Sequence, residues 1–252
     1  MDSEKKDDLN PDNLKPSFTD IIYRSGRAGL SSVPIVGSAL SEILGFAVET
    51  PLEKRKTKFM LALKKEIDKL NGNGRIDVKQ LANNDEFIDV FFQVYDLALK
   101  NSQEEKLEAL RNAVLNTALG IDVERDEKMM FLSIINDLTP IHLKVLDLWY
   151  NSADTVNLIL AESEKSVKGP TLPEDFGWYL KIDIKFYFII LKQLDTWNLL
   201  QHTDNRAHFG IPNKKNREGI RVNILSSLEE RRTSYGRKFL RFITNPEDSK
   251  AV

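Results

Sequence analysis

Apolar residues recur at helical spacing along most of this chain. Leu52, Phe59, Leu63, Ile67 and Leu70 follow Thr50-Pro51, a helix start, and end at Asn71-Gly72-Asn73-Gly74. Residues 76–100 carry Phe87, Val90, Phe91, Val94, Tyr95 and Leu97, which predicts helix in two pieces broken near Asn83-Asn84. Ser102 with Glu105 three residues on reads as a capping box opening a helix to about Leu119, ended by Gly120. A further helix is expected from Asp122 to Asp137. Thr139-Pro140 opens another, running to Trp149 or Tyr150.

The pattern then changes. Residues 163–173 form a looser connection with Gly and Pro. Asp183 to Trp197 is apolar on nearly all sides, which predicts a central helix with Phe186, Phe188, Ile189 and Leu191 inside the core. Leu199–His202 and Arg221–Leu225 read as two strands around a polar loop, Asp204 to Gly219. Tyr235 to Ile243 closes the fold as a short helix. Helix, connection, central helix, two strands and closing helix is the order of a winged helix. The expected fold class is therefore mainly α: an N-terminal helical domain followed by a C-terminal winged-helix-like domain with a small β-hairpin. Residues 1–16 read as a disordered tail, 17–137 as the helical domain and 138–245 as the winged-helix-like domain.

One stretch stands apart from this amphipathic pattern. Ala28 to Val48 is apolar and rich in small residues, and Glu42 is its only charge. Pro34 suits the first turn of a helix spanning 34–48, along which Gly37, Ser41 and Gly45 form a small-residue stripe. Arg24 and Arg27 precede the stretch, and Lys54, Arg55, Lys56 and Lys58 follow it. Two roles fit: tight packing within a bundle, or a conditionally exposed segment that meets an anionic membrane. Glu42 and Pro34 leave it short of a full span.

Composition narrows the chemistry. The chain of 252 residues has no cysteine and three histidines, which excludes disulfides, a thiolate nucleophile and most zinc sites. The charged N-terminus, Met1 to Asp8, is too polar for a secretory signal, so a cytoplasmic location is expected, with a peripheral inner-membrane association left open. Residues 69–80 resemble a calcium loop. However, Lys69 and Gln80 occupy the positions that need carboxylates, so a helix cap and turn is the better reading. His142, one turn into its helix, reads as a cap or structural hydrogen-bonding group. No nucleophile, phosphate-loop or dinucleotide motif is present. The reading is a non-enzymatic protein with no cofactor, no metal site and no inferred small-molecule substrate.

Charge is unevenly placed. The whole chain is net −2, yet Asn205 to Arg241 holds ten Lys and Arg against three acids. Arg206, Lys214, Lys215, Arg217 and Arg221 on the expected hairpin, extended by Arg231 and Arg232, are candidates for contact with nucleic acid or another anion. Against base reading stands the apolar character of Asp183–Ile190 in the recognition position, which favours protein contacts or self-association.

Two stretches carry a resemblance: Val33–Glu42 with Pro51–Arg55, and Leu138–Leu146 with Thr233–Ile243. They resemble prokaryotic abortive-infection proteins of the Abi-alpha-like group. The resemblance implies a role in antiviral defence and brings no catalytic residues with it. The expected function is thus a prokaryotic defence protein of abortive-infection type. Its N-terminal apolar segment would be the effector or oligomerisation element, and its C-terminal winged helix a partner-binding module. The alternative is a winged-helix regulator that binds nucleic acid through the basic hairpin.

Overall fold

The computed structural model describes residues 51–151, 153–164, 171–172, 174–201, 207–208 and 213–247. The described residues are mainly helical, with eleven helices and one pair of two-residue strands. Contacts divide the chain into a unit ending at Arg125 and a unit beginning at Asp126, one helix earlier than the expected boundary after 137. The Pro34–Val48 helix, with its Gly37-Ser41-Gly45 stripe, and the tail 1–16 lie outside the described residues.

In the first unit α1 (Pro51–Gly72), α2 (Val78–Leu81), α3 (Asp85–Lys100) and α4 (Glu104–Ala118) follow the apolar spacing. Gly74 ends the α1 segment with φ +67, a conformation that costs a residue with a Cβ more than it costs glycine. The break near Asn83-Asn84 is a cap: the Asn84 side chain accepts the Phe87 N–H at 3.1 Å. Leu63 and Ile67 of α1, Phe87, Val90 and Val94 of α3, and Leu110, Ala113 and Val114 of α4 are fully buried. α1 and α4 each pack on α3, so three apolar stripes close one core. The Ser102 capping box does not form. Gln103 is the N-cap of α4, and its backbone carbonyl accepts the Lys106 and Leu107 N–H groups.

The second unit holds α5 (Arg125–Asp137), α6 (Pro140–Tyr150), α7 (Ala153–Ser163), β1 (Thr171–Leu172), α8 (Glu174–Tyr179), α9 (Ile184–Thr196), β2 (Ala207–His208), α10 (Arg217–Arg231) and α11 (Ser234–Ile243). α9 packs on α6 and α8, and α10 packs on α7 and α6. Phe131 of α5 sits among Tyr235, Phe239 and Phe242 of α11, with ring centroids 5.0–5.5 Å apart. That cluster explains why α5 belongs to this unit.

Two expectations are overturned here. The predicted strand Arg221–Leu225 lies inside α10. Ile220, Ile224 and Leu228 recur every four residues and are buried, whereas Val222, which a strand would place beside Ile224, is half exposed. The hairpin of 199–202 with 221–225 therefore does not form. Leu200 makes an isolated antiparallel bridge to Arg232, and β1 pairs antiparallel with β2 instead. Second, α9 buries one face, not all sides: Tyr187, Ile190, Leu191 and Leu194 are inside, Phe188 is partly covered, and Phe186 and Ile189 are exposed. Helices α7 and α8, which periodicity did not single out, complete the unit.

Candidate functional site

Two features distinguish the second unit: a buried polar node and an exposed apolar surface. The node forms where the C-terminal end of α6 meets the start of α11. The Tyr150 hydroxyl donates to the Leu199 carbonyl at 2.7 Å and accepts the Thr233 N–H at 2.9 Å. Thr233 caps α11 by accepting the Gly236 N–H at 2.8 Å, and its own hydroxyl donates to the Asn198 carbonyl at 2.6 Å. Gly236 is required by space. A Cβ there would lie 2.2 Å from both the Leu199 carbonyl oxygen and the Tyr150 hydroxyl. The Thr233-Ser234-Tyr235-Gly236 stretch is thus a cap, and its glycine is a point of close approach. Burial raises the Tyr150 phenol above its ordinary pKa, so it stays protonated and can donate.

Charge surrounds this node. The guanidinium groups of Arg232 and Arg237 lie 5.7 and 5.8 Å from the Tyr150 ring centroid. Glu229 pairs with both arginines. Its partial burial opposes ionisation, but the two arginines outweigh that and hold its carboxyl below the usual value. An open cleft of about 590 Å³ runs between Tyr150, Asn151, Leu225 and Ser226, with Glu229 and Arg232 on its wall. Its cation is already paired within the protein. Deeper in the unit, Trp149 donates through Nε1 to the Tyr187 hydroxyl at 2.8 Å, and Arg231 lies 5.7 Å from the Trp149 ring.

His142 is a structural group. The Thr139 N–H donates to its Nδ1 at 3.2 Å, and its Nε2 meets Gln193 Oε1 at 2.6 Å. That oxygen only accepts, so Nε2 carries the proton and the imidazole is neutral. Burial lowers its pKa, although the Gln193 contact works the other way.

The basic candidates differ in their surroundings. Arg206 lies outside the described residues. Lys214 and Lys215 are exposed on the turn before α10. Arg217 pairs with Glu164 at 2.9 Å, and Arg221 bonds Asn157 at 2.9 Å and Glu218 at 3.4 Å. Arg231 is buried, and Arg232 donates to the Trp149 carbonyl at 2.9 Å. Four of the seven are thus used inside the unit, joining α10 to α7 and α6. Among the described residues no His, Asp and Glu cluster could hold a metal ion.

The exposed surface is built by α8 and α9. Trp178 is 62 % exposed, Ile189 52 % and Phe186 47 %, with Tyr179 and Ile184 also open to solvent. Lys181, Lys185 and Lys192 are exposed among them. Phe186 and Ile189 are three residues apart, and Lys185, Ile189 and Lys192 follow at four and three, so these groups share one side of α9. The Asp183 carboxylate caps α9, accepting the N–H groups of Lys185 and Phe186 at 3.0 and 3.1 Å. The turn between the helices is fixed by Ile182 N–H to Gly177 carbonyl (3.0 Å) and by Lys181 at φ +56. Sequence reasoning missed this surface because it assigned every apolar position of 183–197 to the core. The signal was the excess itself: a helix with more apolar positions than one packed face can use.

No family, curated protein or solved structure matches this chain in comparisons of sequence and of fold.

Proposed function

We propose that this protein is a non-enzymatic defence protein of abortive-infection type, and that its second unit is the module that binds its partner. The observation that carries the reading is the set of five large apolar side chains exposed on α8 and α9 in a chain where 29 % of residues are charged. Leaving Trp178, Phe186 and Ile189 in water has no stabilising purpose, which supports a contact made outside this unit. The order α7, β1, α8, α9, β2 supports a winged-helix-like reading in which α9 holds the recognition position. An apolar α9 favours a partner other than duplex base edges. The abortive-infection element of the reading rests on the resemblance at Leu138–Leu146 and Thr233–Ile243. Lys214 and Lys215 are the exposed pair that would serve a nucleic-acid contact through the basic loop, and a pair is thin support for it.

The test is phage challenge of bacteria expressing the full chain. Trp178→Ser, Phe186→Ser and Ile189→Ser are combined in one variant. These side chains are exposed, so stability should change by no more than about 0.5 kcal/mol per site. Protection by the wild type and its loss in the variant, with an unchanged melting temperature, is the expected result. Full protection by the variant would remove α8–α9 from the function. Lack of protection by the wild type against a broad phage panel would remove the defence reading.

A further inference from the structure

We infer that the cleft beside the Tyr150 node binds a small organic phosphate, held by Arg232 and Arg237 in the place that the Glu229 carboxylate takes here. Two guanidinium groups converge on that one carboxylate. Arg232 meets its Oε2 at 2.8 Å, and Arg237 meets its Oε1. One carboxylate cannot neutralise two guanidinium groups, so positive charge is left over beside the cleft. A phosphate monoester carries roughly two negative charges at neutral pH and would balance both. Guanidinium groups also match phosphate oxygens with pairs of parallel hydrogen bonds. A ligand with a single carboxylate would only exchange like for like.

Both cations are held in position by the fold. Arg232 donates through Nε to the Trp149 carbonyl at 2.9 Å, which leaves Nη1 for the anion. Both guanidinium groups lie against the Tyr150 ring, and the Tyr150 hydroxyl pins that ring to Leu199 and Thr233. Glu229 is by contrast a weak occupant. Its side chain is 54 % exposed, and ion pairs so open to water contribute little stability. Its carboxylate can swing outward and gain hydration. It is the only acid among the residues lining the cleft, and nearby Asp147 is engaged by the Asn151 amide at 2.7 Å. The cleft, about 590 Å³, has the volume of sites that hold small organic ligands and exceeds what a bare phosphate fills. Ala153 and Leu225 line it for the ligand's carbon skeleton, and the exposed Ser226 adds a hydroxyl.

Titration calorimetry of the full chain at neutral pH and low salt tests this. The probes are adenosine monophosphate as a representative organic phosphate, adenosine, and inorganic phosphate. The wild type should bind adenosine monophosphate, inorganic phosphate more weakly, and adenosine not at all. Arg237→Gln should weaken the nucleotide by roughly tenfold or more, the loss expected for a hydrogen bond between charged groups. Glu229→Gln removes the competing charge and should tighten the nucleotide roughly tenfold. These opposite signs separate the site from a loss of folding, because a misfolded variant cannot bind more tightly. No binding by the wild type overturns the inference, and so does binding that survives Arg237→Gln unchanged. Binding gained only in Glu229→Gln overturns it too, because Glu229 is then a permanent structural partner of the two arginines. Inorganic phosphate held as tightly as the nucleotide would leave the rest of the cleft unused and overturn the assignment to an organic phosphate.

Discussion

Among the described residues, the first unit leaves one large apolar side chain, Leu61, well exposed, whereas the second leaves eight, five of them on α8 and α9. The interiors differ as well. The first unit is closed by aliphatic and phenylalanine side chains from α1, α3 and α4, and it also buries Lys106, Asn112, Asn116 and Thr117 of α4. The second adds a buried polar node at Tyr150, Thr233 and Gly236, and a neutral histidine bonded between α6 and α9. A unit that buries its apolar groups and shows charge to water is doing what stability alone requires. Among the described residues no single helix is long and apolar enough to cross a membrane.

The largest test of this contrast is Gly236→Ala. The added methyl group meets a backbone carbonyl and the Tyr150 hydroxyl at once. Overpacking and the broken hydrogen bonds together should cost about 4 kcal/mol, read as a lower urea midpoint. Adding Tyr150→Phe should not rescue it, because the Leu199 carbonyl remains. A variant as stable as the wild type would mean that the node is loose.

Next is Leu191→Ala on the buried side of α9. Leu191 is 1 % exposed, and its truncation should cost about 2–5 kcal/mol by denaturation. The exposed positions two residues earlier and five earlier, Ile189 and Phe186, should cost almost nothing. A large effect at Ile189 would show that this side of α9 is covered in solution and would dissolve the surface.

The smallest effect expected is a pH dependence from His142. Its folded pKa is depressed below the ordinary 6.5 by burial. Between those two values the unfolded chain binds the proton and the folded protein does not, so stability falls as pH drops below about 6.5. The stability is fully present above that pH. Urea midpoints measured on either side of 6.5 should separate for the wild type and converge for His142→Gln. A midpoint that rises on acidification would contradict the neutral, bonded imidazole between α6 and α9.

Much of the helical content was legible because local signals and burial agreed. Val90, Val94 and Leu97 repeat at helical spacing on α3, Asn84 caps it and Gly74 turns, and each does in the structure what its chemistry favours. The Thr139-Pro140 start of α6 was equally plain, and His142 adopted the capping role its position suggested. Where tertiary contacts outweighed local pattern, reading failed. Arg221–Leu225 alternates like a strand, but Ile220, Ile224 and Leu228 are drawn into one helical stripe against α7, and the burial of three large side chains decides the matter. The basic residues of the same segment looked like one surface in sequence. Folding spent Arg217 and Arg221 on partners on or facing α7, and turned Arg231 and Arg232 toward Trp149 and Tyr150.

The sequence by itself determined where helices such as α1, α3 and α6 start, that the protein is mainly α, and that it has neither disulfides nor a thiolate nucleophile. Those properties depend on backbone sterics, caps and residue inventory, all of which are local. Only the tertiary structure decided which apolar positions of α9 lie inside and which face water, because exposure depends on how many faces of a helix its neighbours cover. It also decided that Gly236 sits against Leu199 and Tyr150, residues distant in sequence, and so why that position admits no side chain.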